Sequence, residues 1–399
     1  MIPKDWDVRT LGLLGSFSKG QGIRKDQASS GEIACIRYGE IYTDHNDVVR
    51  RYRSRISREV ASTSKLLRKG DLLFAGSGET KAEIGKCVAF VDDCEAYAGG
   101  DIVIFTPHSA NSVLLGYLLN SEVVARQKAA RAQGDAVVHI SAKALGDVMA
   151  PLPPTVTEQA AIAEALSNMD EAIAAQEAVI AKKRALKTAT MQALLSGTRR
   201  LPGFSEEWEI KGLAQIGKPL IGLTYSPRDI RGSGTLVLRS SNVQSGLLAF
   251  DDNVFVDPDI AQRCLVEEND ILICVRNGSR DLIGKCAKID ERGRGMAFGA
   301  FMSIFRTPDH GYVFHYFQSE AMRRQINEHL GATINQITNA SLNGFKVAWP
   351  SERKEREGIA EVLSDMDHEI VATTSELSKL RHLKAGMMQQ LLTGKIRLV

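Results

Sequence analysis

The residues of this chain whose types and spacing best fit a chemical reaction are an aspartate and a short carboxylate–lysine cluster. Asp71 is followed by Glu79, Thr80 and Lys81. Nucleases use such residues to hold a divalent ion with carboxylates while the lysine stabilises the transition state. One hypothesis is therefore a Mg²⁺-dependent nuclease that uses Asp71, Glu79 and Lys81. The sequence contains no P-loop, no NPPF- or DPPY-like tetrapeptide of amino-methyltransferases and no Gly-x-Ser-x-Gly motif.

A duplication within the chain provides an internal control on this hypothesis. Residues 162–197 and 359–394 align at a constant offset of 197, with 18 identities among 36 positions. Repetition of this kind indicates two copies of one structural unit. The regions that precede them repeat more loosely, since the tetrapeptide IGKC begins at Ile84 and again at Ile283. We therefore expect two related mixed domains, each followed by a related helix.

The nuclease residues differ between the two copies. Glu79 corresponds to Gly278, so the second copy lacks the carboxylate, whereas Lys81 corresponds to Arg280 and the positive charge is kept. Contact with a phosphate or a base explains this pattern better than catalysis, because Lys and Arg anchor DNA phosphates.

The repeated stretch from Thr157 to Gly197 is predicted to form one long helix. Thr155 or Thr157 can cap it, and Glu158 lies in its first turn. Alternating steps of four and three residues predict a coiled-coil seam in both copies. A rod of about 60 Å must bury this seam; we expect packing against its copy, with packing of each helix on its own domain as the alternative. The apolar seam residues are Ile162, Leu166, Met169, Ile173, Ile180, Leu194, Ile359, Leu363, Met366, Ile370, Leu377, Leu380 and Leu391.

The regions outside the helices predict an α+β fold. Short β-rich runs separated by glycines fill the first region, which also contains a predicted short helix around Val113–Ala132. The predicted domains are residues 1–156 and 201–352, and the predicted long helices lie within 157–200 and 353–399.

The end of the chain repeats the link between the first helix and the second domain. The pattern Gly394-x-x-Arg397-Leu398 matches Gly197-x-x-Arg200-Leu201, so the C-terminus is predicted to lie near Met1. We therefore expect two globular α/β domains joined by two long antiparallel coiled-coil helices, in a pseudo-two-fold circular arrangement.

Composition and charge restrict the class of protein. A chain of 399 residues that is 44% hydrophobic can form more than one core, and its formal charge of +2 argues against a generally basic surface. The absence of a long apolar run or a signal-peptide core predicts a cytoplasmic protein without membrane contact. Six cysteines without CxxC spacing disfavour zinc and disulfides. Local positive charge is expected at Arg50–Arg58, with five arginines and no carboxylate.

Polar, glycine-rich loops that differ between the copies are the candidate binding residues. In the major groove Arg pairs with guanine and Asn or Gln pairs with adenine. Because the predicted strands and turns match between the copies while the loops differ, we interpret the domains as recognising two different DNA sequences. The candidates in the first copy are Gln21, Arg24, Lys25, Arg37, Tyr38, Arg51, Arg53, Ser77, Thr80, Lys81 and His139. The candidates in the second copy are Tyr225, Arg228, Arg239, Ser240, Asn242, Arg276, Asn277, Arg280, Asn335 and Gln336.

A set of longer motifs resembles one known family over essentially all 399 residues. The motifs are IRYGEIYT (Ile36–Thr43), DLLFAGSGETKAEIGKC (Asp71–Cys87), GDAVVHIS (Gly134–Ser141), the run that starts PLPPTVTEQAAIAEAL (Pro151–Asp170) and KKRALKTATMQALLSGTRRLPGF (Lys182–Phe204). In this order, and with their duplication, they resemble the specificity subunits of type I restriction-modification systems.

That resemblance implies a non-catalytic DNA-recognition subunit with two target-recognition domains, each recognising one half of a bipartite, asymmetric site in double-stranded DNA. It also implies that the helices set the spacing between the half-sites and hold two methyltransferase subunits, which restriction subunits can join. S-adenosylmethionine, ATP and Mg²⁺ would then bind to those partners, with no cofactor or metal in this chain. The second copy departs from the family pattern at ERKEREGIA (Glu352–Ala360), where we expect its helix to contact partners differently.

Overall fold

The structure of the chain is a computed structural model that describes residues 3–330 and 335–398. The chain forms two compact units, the first comprising Met1–Glu177 with Glu376–Val399 and the second comprising Ala178–Ser375. Both units contain sheets and helices, so the α+β class predicted from the sequence is confirmed. Within the described residues, no helix is long and apolar enough to cross a membrane.

Short strands and helices of the first unit precede one long helix. The strands are β1 (Asp7–Thr10), β2 (Gly15–Lys19), β3 (Ile33–Ile36), β4 (Ser54–Ile56), β5 (Lys65–Leu66), β6 (Leu72–Ala75), β7 (Ser77–Gly78), β8 (Cys87–Ala89), β9 (Ala96–Ala98), β10 (Ile102–Pro107), β11 (Val138–His139) and β12 (Met149–Leu152). The helices are α1 (Leu11–Leu14), α2 (Tyr38–Thr43), α3 (Arg58–Ser62), α4 (Ser112–Asn120), α5 (Glu122–Arg131), α6 (Ala142–Gly146) and α7 (Val156–Leu195).

The central sheet of the first unit has the strand order β2-β10-β6-β8 and is buried on both faces. Because side chains alternate along a strand, Leu72 and Phe74 of β6 join a core with Leu115 of α4, while Leu73 joins a second core with Ile36 of β3. Each such fully buried side chain contributes about 1.5–3 kcal/mol. The uninterrupted apolar run of β6 is explained by this double burial.

The second unit has a similar order of elements at its beginning and end, and it differs in the middle. Its strands are β13 (Glu209–Gly212), β14 (Lys218–Ile221), β15 (Ile230–Arg231), β16 (Thr235–Leu238), β17 (Val243–Gln244), β18 (Leu247–Leu248), β19 (Phe255–Val256), β20 (Ile271–Cys274), β21 (Cys286–Lys288), β22 (Ala297–Phe298), β23 (Met302–Arg306) and β24 (Lys346–Trp349). Its helices are α8 (Leu213–Ile216), α9 (Pro258–Ala261), α10 (His310–Phe317), α11 (Glu320–His329), α12 (Asn339–Gly344) and α13 (Arg353–Leu391).

The central sheets of the two units agree in order and in register. The second unit has the order β14-β23-β20-β21, and it pairs Phe305 with Ile271 where the first pairs Phe105 with Leu72. Residues that occupy equal places in the two sheets can therefore be compared directly.

One predicted short helix differs from the structure. The sequence predicts a single helix around Val113–Ala132, whereas the structure has two helices, α4 and α5. Ser121 separates them because its backbone is extended, with φ −61° and ψ 151°. Neither glycine nor proline lies at the break, so the usual sequence signal of a helix end is missing there.

Both long helices have clear start and stop signals. Helix α7 begins at Val156, where the hydroxyl of Thr155 accepts the N–H of Glu158 at 3.2 Å. It ends before Gly197, and α13 ends before Gly394; these glycines have φ angles of 73° and 67°, which favour glycine at a helix C-terminus.

The long helices pack antiparallel within each unit, because partner numbers fall along one helix as they rise along the other. In the first unit the pairs are Gln176 with Glu376, Glu177 with Arg381 and Asp170 with Lys384. In the second unit they are Lys183 with Glu369 and Lys187 with Asp367.

All the seam positions are buried or partly buried. Near the helix ends, however, the seam also enters the domain cores. Ile162, Leu166 and Leu391 belong to the helix-facing core of the first unit, and Ile359 and Leu363 belong to that of the second. The long helices therefore pack against domain cores as well as against each other, and α13 contributes to the cores of both units.

A buried ion pair fixes the chain end in the first unit. Arg397 donates to Glu158 at 2.7 Å and to Asp5 at 2.7 Å, and its guanidinium lies 6.0 Å from the Trp6 ring centre. Met1, near which the C-terminus was predicted to lie, is outside the described residues; the contacts observed are with Asp5 and Trp6.

The same arrangement occurs in the second unit at an offset of 197 in the helix. Arg200 donates twice to Glu355, at 2.6 and 2.7 Å, and Trp208 donates its indole N–H to the same carboxylate at 3.0 Å. The repeated Gly-x-x-Arg-Leu pattern is therefore explained, since each arginine binds the first turn of the antiparallel helix.

A buried histidine in the second unit makes stability depend on pH. Burial, together with the nearby charges of Lys187 and Lys288, lowers the pKa of His315 from 6.5 to about 3. Below pH 6.5 His315 therefore binds a proton in the unfolded chain but not in the folded chain. The stability of the folded chain is thus undiminished by this group above pH 6.5 and falls as the pH is lowered. We expect the free energy of unfolding to drop by about 2 kcal/mol between pH 6.5 and 4.5 from this group.

Chemical denaturation at several pH values tests this expectation. The variant His315→Gln should have a flatter dependence on pH than the parent chain, whereas His368→Gln, which alters an exposed histidine of α13, should keep the parent dependence. Equal slopes for the two variants would show that His315 is not the titrating group.

Candidate DNA interface

Two of the predicted loops in the first unit meet through a short strand pair. Strands β7 and β11 place Ser77 opposite His139, and the Ser77 hydroxyl lies 2.9 Å from His139 Nδ1. Lys81 lies 3.8 Å from Asp135 of the partner loop. The sequence could not place these loops together, because 62 residues separate Ser77 from His139.

Helix α2 completes this surface. The Tyr42 hydroxyl donates to the Ser77 carbonyl at 3.2 Å. Tyr38, Ser77, Glu79 and Val137 all line one groove of about 940 Å³. Three predicted loop regions of the first unit thus share a single concave surface.

The predicted loops of the second unit also come together. An isolated bridge joins Arg276 to Gln336, at the place where the first unit joins Ser77 to His139. Asn277 donates its side-chain amide to the hydroxyl of Ser240 at 3.3 Å. Backbone pairing therefore makes Gln336 the equivalent of His139.

The repeated IGKC motif anchors this surface in both units. Lys86 donates to the carbonyl of His45 at 2.6 Å, just after α2. Lys285, its counterpart, donates to the carbonyl of Ser240 at 2.9 Å. These lysines act within the chain, since each fixes the segment that follows the matched strand β3 or β16.

The predicted DNA-contacting residues differ in exposure. The exposed ones are Gln21, Arg24, Lys25, Tyr38, Arg51, Arg53, Thr80, Lys81, His139, Arg228, Arg276, Arg280 and Asn335. The partly buried ones are Arg37, Tyr225, Arg239, Ser240, Asn277 and Gln336, and the buried ones are Ser77 and Asn242.

Asn242, a predicted DNA-contacting residue, is enclosed by its own unit. Its side chain is 0% exposed; its oxygen accepts the N–H of Arg239 at 2.9 Å, and its amide donates to Ala249 at 2.9 Å. It takes the place of Glu40, whose carboxylate accepts the N–H of Arg37 in the first unit at 3.5 Å. Asn242 is thus a structural cap.

Ser77, another predicted DNA-contacting residue, is also buried. It is 6% exposed, and its hydroxyl is hydrogen-bonded to His139. Ser77 therefore positions His139 instead of presenting its own side chain to DNA.

The arginines between Arg50 and Arg58 do not form one positive patch. Arg50 lies 3.6 Å from Glu171 of α7, and Arg58 lies 2.5 Å from Glu95. Arg51 and Arg53 instead lie beside Asp44, which ends α2. Two of the five arginines therefore lie at the end of α2, the helix that lines the groove.

The nuclease hypothesis receives no support from the geometry. Asp71 is buried, and its carboxylate accepts the hydroxyl of Thr106 at 2.6 Å and the N–H of Arg68 at 2.8 Å. It precedes β6 while Glu79 follows it, and a strand of this length spans about 13 Å. Among the described residues, no group of three or more His, Cys, Asp and Glu is arranged to hold a metal ion.

A turn that the sequence did not single out adjoins two of the predicted loops of the first unit. A Cβ atom on Gly99 would lie 3.4 Å from Ile23 and 3.7 Å from Arg37, so the turn separates two predicted loops. Its last residue, Asp101, accepts the N–H of Gly76 at 2.7 Å. The Gly-Gly pair before Asp101 was the available signal, because glycine permits close backbone approach.

Comparison with known proteins gives matches in sequence. Residues 3–182 match the family described as the Type I restriction modification DNA specificity domain. The Type I restriction enzyme MjaVIII specificity subunit of Methanocaldococcus jannaschii is 22% identical over 419 residues, which cover 99% of this chain and 94% of that protein.

Comparison with solved structures gives the same fold. The type I restriction-modification S subunit from M. genitalium matches with a TM-score of 0.64 and 16% identity, covering 98% of this chain and 96% of that chain. A chain from a structure that addresses complex assembly and conformational transition of the type I R-M system matches with a TM-score of 0.59 and 15% identity, covering 99% and 100%.

The sequence and fold comparisons extend across both units and agree with the duplicated loops and helices. A mixed domain followed by a long helix occurs twice in the chain, and each copy presents its own polar surface. Residues 3–182 match the type I restriction-modification DNA specificity domain, and over almost its whole length the chain is similar to type I specificity subunits.

Proposed function

We propose that each unit recognises one half of a bipartite, asymmetric site in double-stranded DNA. The observation that supports this most strongly is the matched pair of surfaces with different side chains. Ser77 and His139 occupy the places that Arg276 and Gln336 occupy in the second unit. Equal backbone frames with different donors and acceptors are expected to select different bases.

From the likeness to type I specificity subunits we infer that the chain recognises DNA and is not the catalytic component of its complex. S-adenosylmethionine, ATP and Mg²⁺ are accordingly assigned to partner subunits. We place the complex in the cytoplasm, because its substrate is DNA.

The long helices are proposed to set the gap between the half-sites and to hold two methyltransferase subunits, which restriction subunits can join. Leu186 of α7 is 60% exposed, and Leu383, its copy on α13, is 54% exposed. Exposed apolar side chains at duplicated positions suit partner binding. Two copies of this feature fit two equivalent partners.

Mapping of modified sites tests the proposal. The chain is co-expressed with its methyltransferase subunits, and methylated positions are sequenced in a library of random DNA. We expect one motif with two different half-sites at a fixed gap. A single contiguous motif would refute recognition by two separate units.

Loss of a surface cation should weaken DNA binding without changing the preferred sequence. We expect Lys81→Ala and Arg280→Ala each to lower the slope of log affinity against log salt concentration by about 1. Titration of the assembled complex with fluorescent DNA at several salt concentrations measures this slope. Lys69→Ala removes an exposed lysine that is paired with Asp93 at 2.7 Å, and it should leave the slope unchanged. An unchanged slope in both test variants would exclude these residues as phosphate contacts.

A further inference from the structure

One pair of residues lies at the same backbone position in the two units but has very different side chains. Strand β10 begins with Ile102 paired to Ala75, and β23 begins with Met302 paired to Cys274. The preceding residues, Asp101 and Phe301, are therefore structural equivalents. Neither belongs to the sets of residues predicted from the sequence.

Backbone hydrogen bonds fix both residues next to the paired loops. The carbonyl of Asp101 accepts the N–H of Gly76 at 2.7 Å, one residue before Ser77. The carbonyl of Phe301 accepts the N–H of Val275 at 3.0 Å and that of Arg276 at 3.1 Å. Each residue is thus adjacent to the position where the two loops of its unit meet.

Phe301 is unusual because a large apolar side chain remains 57% exposed. The Arg276 guanidinium lies over its ring, with Cζ 5.0 Å from the ring centre. A guanidinium that stacks by its face keeps its N–H edges for hydrogen bonds in the plane. Stacking also restricts the side-chain motion that a free arginine would lose on binding a base.

Asp101 presents the opposite chemistry in the first unit. Its side chain is exposed, its backbone φ is 60°, and it lines a cavity of about 470 Å³ together with Ser77 and His139. A carboxylate only accepts hydrogen bonds, so in the major groove it selects an exocyclic amine, as on cytosine N4. Arg276, in contrast, only donates, and guanine O6 and N7 are the acceptors that it fits.

We propose that Asp101 and Phe301 are specificity-determining residues of the two units. Asp101 accepts a hydrogen bond from the exocyclic amine of a base in one half-site, and Phe301 positions Arg276 for a guanine in the other. This inference rests on the proposed recognition of one half-site by each unit.

Base preference at every position of both half-sites is the measurement that tests this inference. The assembled complex methylates a library with randomised half-sites, and the preferred motif is determined for Phe301→Ala, Phe301→Trp and Asp101→Asn. We expect Phe301→Ala to lower the discrimination for guanine at one position by about ten-fold, since one bidentate contact supplies this order of selectivity. Phe301→Trp keeps an aromatic face for the Arg276 guanidinium, so it should retain the discrimination for guanine. If the ring served only to fill space, the larger tryptophan would not be expected to retain it.

Asp101→Asn should alter the preferred base at one position of the other half-site only. Asparagine tolerates a positive φ, so the backbone is expected to be kept while an amide replaces the carboxylate. Matched controls are Asp93→Asn, which alters an exposed aspartate of the first unit, and Ile260→Ala, which alters an exposed apolar residue of the second. Both controls should retain the parent motif.

The outcomes separate this inference from the proposed function. If the parent complex has two half-sites but Phe301→Ala and Asp101→Asn leave every base preference unchanged, the inference is refuted and the proposed function stands. If the parent complex recognises one contiguous site, the proposed function itself fails. A change at both half-sites from one substitution would also refute the inference.

Discussion

Replacing Glu355 with glutamine is expected to lower the free energy of unfolding of the second unit by about 3 kcal/mol. The carboxylate is 0% exposed and accepts two hydrogen bonds from Arg200 and one from Trp208. Removal of one partner from a buried ion pair typically costs about 3–5 kcal/mol, because the remaining charge is left uncompensated. Partial exposure of Arg200 places this case at the lower end of that range.

Denaturant titration followed by tryptophan fluorescence measures this effect, since Trp208 contacts the altered group. Glu158→Gln is the matched change in the first unit and should produce a loss of similar size. Glu369→Gln removes an exposed partner of Lys183 and should cost at most about 1 kcal/mol. If Glu355→Gln and Glu369→Gln had equal effects, the buried pair of Arg200 and Glu355 would not be what fixes the start of α13.

Deletion of one heptad from both long helices is expected to change the gap between the half-sites by about three base pairs. The matched deletions are Ala174–Ile180 and Val371–Leu377, which are copies at the offset of 197. Seven residues shorten a helix by about 10 Å, and base pairs are spaced about 3.4 Å apart. Because a whole heptad is removed, the seam keeps its phase.

These deletions spare the ion pairs that fix the helix ends, namely Arg397 with Glu158 and Arg200 with Glu355. Methylation mapping of the assembled complex should show a shorter gap and unchanged half-site sequences. Deletion from α7 alone leaves the two helices with unequal lengths, so we expect it to prevent assembly of the complex. A double deletion that alters the half-site sequences, or that keeps the parent gap, would contradict the proposed role of the helices in spacing.

Local sequence patterns predicted the long helices well. The seam repeats over many turns, and Thr155 was one of two predicted caps; the structure shows its hydroxyl bound to the N–H of Glu158. Side-chain periodicity and capping act between residues a few positions apart, so they are visible in the sequence. The equivalence of Lys86 and Lys285 was visible as well, because both belong to the IGKC repeat.

The details of the candidate interface could not be predicted in the same way. Arg50 and Arg58 looked like part of one basic patch, but their acidic partners, Glu171 and Glu95, lie far along the chain. Asn242 looked like a base-contacting residue, although the turn around it encloses its amide. The partners of such polar side chains are set by tertiary packing, which charge patterns do not reveal.

Phe301 illustrates the same limit from the opposite direction. In the sequence it is one aromatic residue beside an apolar strand, for which burial is the usual outcome. Only the strand register shows that it precedes β23, outside the core and beneath Arg276. The position is informative because its counterpart, Asp101, has a charged side chain at the same place in the backbone of the first unit.

The central claim, that each unit recognises its own half-site, is tested most directly by a loop transplant. The sequence of Arg276–Arg280 replaces that of Ser77–Lys81, which has the same length, and His139→Gln is made in the same chain. The motif methylated by the assembled complex is then determined by sequencing. We expect one half-site to change while the other half-site and the gap stay as in the parent complex. A change in both half-sites, or in neither, would contradict it.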